Sequence, residues 1–140
     1  SSILTGYVKS IATTDGKDTI TVNKIDFLTG DAADAAFAKA NPESCEEMKK
    51  EDNTDKCYAL DGYYIVTWDE EVSYPIASDA KIYLVNQQAG EWEDITIPVA
   101  KTYADFKALT DDMSKKEIYL PFYFEVKDNQ IVEVREQFIP

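Results

Sequence analysis

At 140 residues the chain has the size of one domain, and folding at that length buries roughly 68–70% of the surface an unfolded chain exposes, enough for one core. Its 27 acidic residues against 14 basic ones leave a formal net charge of -13, and Arg135 is the only arginine, so the counterion-displacing cations of a nucleic-acid binder are missing. The chain has no histidine, which removes Ser-His-Asp and Cys-His catalysis and histidine metal sites, and its apolar runs, such as 63–66, fall far short of the roughly 20 residues a membrane-spanning helix needs.

In chain order, residues 3–12 and 19–28 read as strands joined through Asp15-Gly16, a hairpin turn pair. Along the second strand Ile20 and Val22 share one side, and then Ile25 and Phe27 take over the apolar phase, which predicts a bulge or a strong bend. Thr29, Gly30 and Asp31 supply turn and cap chemistry for a short alanine-rich helix over 32–40 with Phe37 as its one large apolar residue. That helix ends near Asn41-Pro42, and a polar loop carrying Cys45 and Cys57 follows.

A Cys45–Cys57 disulfide is the natural restraint for such a loop, stabilising by about 3 kcal/mol in the chain-entropy model. Two free thiols on a polar loop are the competing reading, and a metal pair would lack two further ligands. A disulfide implies an oxidising compartment, hence extracytoplasmic localisation. The chain opens at Ser1-Ser2 without an initiator methionine or an apolar leader, as a mature exported form would, although a trimmed fragment would look the same.

Beyond Asp61-Gly62, residues 63–68 are so rich in aromatic and β-branched side chains that they predict a strand. Residues 72–75 and 80–85 read as further short strands, with Asp69-Glu70-Glu71 turning between the first two. Residues 95–99 add an edge strand, since Pro98 cannot donate to a ladder. Thr102 with Asp105 forms a near capping box, and Tyr103, Phe106, Leu109 and Met113 recur at helical spacing on a core-facing side. Residues 118–127 and 130–138 form a closing hairpin through Asp128-Asn129, with Phe122, Phe124 and Val126 alternating inward, Val132 and Val134 inward, and Glu133 and Arg135 toward water.

This order predicts an α+β, mostly antiparallel domain: an OB-like barrel or roll of five to six strands with two short helices, in which residues 1–140 form a single domain with an insertion at about 29–61. A helix between the third and fourth barrel strands is where that scheme places one.

The segments Gly6-Tyr7-Val8-Lys9-Ser10-Ile11, Asp26-Phe27-Leu28-Thr29-Gly30-Asp31-Ala32-Ala33, Gly62-Tyr63-Tyr64-Ile65, Ser78-Asp79-Ala80-Lys81-Ile82 and Val132-Glu133-Val134-Arg135-Glu136-Gln137-Phe138-Ile139-Pro140 are individually ordinary. In this order they resemble a loose group of bacterial exported, lipoprotein-type domains of unassigned activity. The resemblance spans most of the chain and implies placement at the cell surface without a catalytic role. The lipid-anchoring cysteine of such lipoproteins is missing from the start of this chain.

Tyr63, Tyr64, Trp68, Tyr74, Tyr83 and Trp92 concentrate in mid-chain among Asp69, Glu70, Glu71, Asp79, Glu91, Glu93 and Asp94. Exposed rings beside carboxylates suit sugar stacking, so Tyr63, Tyr64, Trp68, Tyr74 and Trp92 are the candidate ligand-binding residues; core packing of alternate aromatics is the competing reading. No motif distinguishes a catalytic carboxylate pair, a calcium loop or a cofactor site, so no cofactor and no metal are expected. The expected function is a non-catalytic, surface-exposed binding or interaction module with a protein or glycan partner. The alternatives are a self-assembling subunit of a filament or surface layer and, last, a carboxylate-dependent hydrolase.

Overall fold

A computed structural model describes residues 1–140. The protein is α+β, with six mostly antiparallel strands in one sheet and three helices: β1 (Ser2–Thr14), β2 (Lys17–Thr29), α1 (Gly30–Ala40), α2 (Pro42–Asp52), β3 (Tyr63–Leu84), β4 (Val99–Lys101), α3 (Tyr103–Lys115), β5 (Pro121–Lys127) and β6 (Gln130–Glu136). The sheet runs β2-β1-β5-β6-β3-β4, with a further pairing of β2 to β3. All neighbours whose register is defined run antiparallel except β3 and β6, which are parallel from Ile76↔Ile131 to Tyr83↔Arg135. No helix is long and apolar enough to cross a membrane.

The chain divides into two compact units, one formed by residues 1–24 and 69–140, the other by residues 25–68. In the first, inward side chains of every long strand bury Leu4, Ile20, Val22, Ile82, Leu84, Phe122, Phe124, Val126, Ile131 and Val134. Phe106 of α3 caps them and meets the Phe122 ring edge-on at 5.3 Å. Gly6 belongs to this interior: a Cβ there would overlap the Asn23 carbonyl oxygen and a Val22 methyl, so only glycine lets β1 and β2 approach so closely.

In the second unit, Ala33 and Phe37 of α1 pack with Cys45, Cys57 and Ala59 into a small core of their own. Phe27 stacks on Tyr63 at 5.1 Å, and Phe37 meets Tyr64 edge-on. The Cys45–Cys57 disulfide is present.

Several expected elements differ. The polar cysteine segment holds a helix, α2, so the helices number three rather than two. Pro42 opens α2, where a missing amide costs nothing; Glu43 lies in its first turn and Lys49 and Lys50 in its last, each charge favourable to the helix dipole. Asn53, left-handed at φ 51°, ends it while Thr54 N–H donates to the Lys49 carbonyl. The separate strands expected at 63–68, 72–75 and 80–85 are one 22-residue strand, β3, because Asp69 takes φ 57° inside the strand instead of turning the chain. The edge strand expected at 95–99 is only Val99–Lys101, beginning just past Pro98.

The phase change of β2 is real, since Ile20, Val22 and Ile25 are all buried, and the register of the β1–β2 pair slips on β1 between Val8 and Ser10. In the β5–β6 pair the register slips where Glu125 faces Glu133 and Val126 faces Ile131, so Val132 is the extra residue and Ile131 rather than Val132 is fully buried along with Val134.

Candidate functional site

Glu136 is the one buried charged side chain, 5% exposed. It closes the last strand, two residues beyond Val134, so the period of two aims it at the same interior face. Its Oε1 accepts from the Val85 amide at 3.0 Å, and Oε2 has no protein partner. Burial raises its pKa above the usual carboxylate value, opposed by the bond from Val85. Glu136 lines a cavity of about 290 Å³ with Asn86, Gln87, Gln88, Lys101 and Asp105, over an apolar floor of Leu84, Val85 and Leu109. Lys101 comes from β4 and Asp105 from the first turn of α3, where it completes a capping box with Thr102.

Residues 86–98 leave this cavity as a loop that is braced rather than loose. Glu93 reaches back with both oxygens, accepting from Asn86 Nδ2 at 3.1 Å and from the Gly90 amide at 3.1 Å, while the Asn86 Oδ1 accepts from the Gln88 amide. Asp94 Oδ1 accepts from both the amide and the hydroxyl of Thr96, which together lower its pKa. Within the first of these clamps Trp92 stands 93% exposed, and Ile95 and Ile97 further along the loop are also exposed. Most rings of this size are covered in a folded domain, which sets Trp92 apart from the other aromatic side chains.

The five aromatic residues singled out by sequence have different surroundings within their own units. Tyr63 stacks on Phe27 and Tyr64 packs against Phe37 in the small core. Tyr74 packs against the large core, and Trp68, near the start of β3, is half-exposed. Trp92 alone stands almost wholly in solvent. Glu136 escaped the sequence reading, although the alternation Val134, Glu136 on an inward face was the signal that could have found it.

A second polar constellation serves packing. Asp18, near the β1–β2 turn, accepts from Thr13 at 2.5 Å and from the Tyr103 hydroxyl at 2.6 Å, and pairs with Lys107 at 3.1 Å. These bonds, Thr13 foremost, hold the Asp18 pKa at about 2, and burial with Asp18 beside it pushes the Tyr103 phenol well above its usual value. No three Cys, Asp or Glu side chains are arranged to hold a metal ion. Comparison with family models, curated proteins and solved structures finds no match to this chain.

Proposed function

We propose that this chain is a non-catalytic binding module of an exported, surface-exposed protein, and that it holds a glycan at the loop of residues 86–98 and the cavity at its base. The observation that carries the reading is that one loop both lines, through Asn86, Gln87 and Gln88, a cavity holding the buried carboxylate of Glu136 and carries the outward Trp92 a few residues on. A sugar offers a C–H face for the indole and hydroxyls that both donate and accept. Glu136 accepts, Lys101 donates, and Asn86, Gln87 and Gln88 do both. The bonds that Glu93 and Asp94 make within the loop lower the cost of ordering it on binding.

The scaffold fits the same reading. Leaving aside the short β4, β1 pairs with β2 and β5, β3 with β2 and β6, and β5 with β6, while α3 lies between β3 and β5 in the chain, which supports an OB-like reading of the scaffold. The disulfide supports export, since such bonds persist outside reducing compartments.

Glycan-array screening followed by calorimetry on the best sugar tests the proposal. Trp92→Ala is expected to weaken binding at least about tenfold, equivalent to ~1.4 kcal/mol, and Glu136→Gln to weaken it while leaving the circular dichroism spectrum unchanged. Equal affinity in wild type and Trp92→Ala would rule the loop out. A protein ligand captured through Trp92, with no sugar bound anywhere on the array, would replace the glycan as the occupant.

A further inference from the structure

In the unit of residues 1–24 and 69–140, part of one strand edge has no strand against it. β1 pairs with β2 from Gly6 to Thr14, but with β5 only from Ser2 to Tyr7, because β5 begins at Pro121 and residues 118–120 are not extended into the ladder. Residues 8–14 therefore turn alternate backbone amides and carbonyls toward open space, and no other backbone group bonds to them there.

That space is a groove whose opposite wall is α3. Two adjoining cavities of about 390 and 510 Å³ share Val8, Lys9, Thr110 and Ser114 and run along β1 as far as Ile11. The end nearer Tyr7 is mixed, its apolar side chains including Met113 and the exposed Ile118 and Tyr119, with a Tyr7–Tyr119 ring contact at 5.5 Å. An open strand edge facing a helix across a groove is the arrangement by which peptide-binding domains add a ligand strand to a sheet. Lys9 and the adjacent register slip interrupt the edge at one residue only.

The charges select the ligand. Lys9 is paired with Glu71 and Lys107 with Asp18, so both cations that line the groove are neutralised from within the chain. Asp111 is paired with Lys115, whereas Glu117 at the groove's end has no ion-pair partner, and the whole chain carries -13. We propose that the groove between the β1 edge and α3 receives an extended segment of a partner protein as an added strand, and that this segment alternates apolar with Lys or Arg residues. Its apolar side chains enter the recess beside Met113 and Ile118, its cations meet Glu117 and the surrounding negative field, and its backbone completes the ladder of residues 8–11. This docking is independent of the glycan reading above.

The test uses the full chain and three synthetic decapeptides: one alternating lysine and valine, one alternating glutamate and valine, and the lysine peptide N-methylated at alternate residues to remove the amide donors on one edge. Fluorescence anisotropy should show binding of the first, at least tenfold weaker binding of the N-methylated form, and none of the acidic one, with backbone amide shifts in NMR centred on residues 8–11. Ser114→Arg, which fills the groove and adds a cation, should weaken the lysine peptide at least tenfold. Equal affinity for the methylated and unmethylated peptides, or amide shifts elsewhere on the surface, would overturn strand addition and leave only charge attraction. A concentration-dependent dimer abolished by Ser114→Arg would make a second copy the occupant and overturn the basic-partner assignment.

Discussion

Glu136 and Asp18 are carboxylates shifted in opposite directions, and linkage turns each shift into a pH dependence of stability. For Glu136 the folded pKa lies above its unbound value of 4.5, so the native state holds its proton more tightly, and stability falls as pH rises from that value through the raised folded one. Glu136→Gln keeps an oxygen for the Val85 amide and carries no charge. It is expected to raise the melting temperature at pH 7, with the gain disappearing below about pH 4.5; a gain equal at every pH would mean that ionisation of Glu136 is not its source. Asp18 runs the other way. Its pKa of about 2 against 3.8 gives a contribution fully present above pH 3.8 and lost as pH falls toward 2. Asp18→Asn is expected to cost about 1–2 kcal/mol at neutral pH, discounted for solvent screening, and almost nothing below pH 2, measured by urea denaturation at the two pH values. The contrast follows from partners: Asp18 has a hydroxyl, a phenol and an ammonium, whereas Glu136 has one amide.

Among the elements, α2 depends most on its covalent restraint. Of its residues only Cys45 is buried, and in the small core it joins Phe37 is the one large side chain that is buried rather than partly exposed. Reducing the disulfide, or replacing both cysteines by serine, is expected to destabilise the unit of residues 25–68 by about 3 kcal/mol, from the entropy returned to the opened loop. Hydrogen exchange should report it as lost protection in α1 and α2, with β5 and β6 unchanged. The same poverty of apolar contacts explains why α2 was read as loop: Glu46, Glu47, Lys49, Lys50, Glu51 and Asp52 give no apolar stripe, and only Pro42 and the charge gradient marked a helix. By contrast α3 was legible, because Thr102, Asp105 and the spacing of Tyr103 and Phe106 all agree on where it starts and which side it buries. Strand β3 was legible as β structure but not as one piece, since a left-handed aspartate inside a strand looks in sequence like a turn.

At the scale of the whole molecule, the hairpins could be read from sequence because their partners are near neighbours joined by turn residues, Asp15-Gly16 and Asp128-Asn129. Cavity and groove could not. The cavity requires Glu136 to meet Val85, which the parallel pairing of β6 with β3 brings about, and the groove requires β5 to stop at Pro121 against β1. Both are consequences of long-range register, on which local residue pattern is silent. Ser2 of β1 pairs with Val126 of β5, nearly the full chain away, and this junction carries a timing constraint. A nascent polypeptide cannot zip β1 against β5 until residues 121–127 have emerged, so this part of the sheet waits for a segment more than a hundred residues downstream. Refolding from denaturant is accordingly expected in milliseconds to seconds rather than microseconds, with the rate-limiting barrier sensitive to substitutions in β1 and β5, as stopped-flow fluorescence would measure.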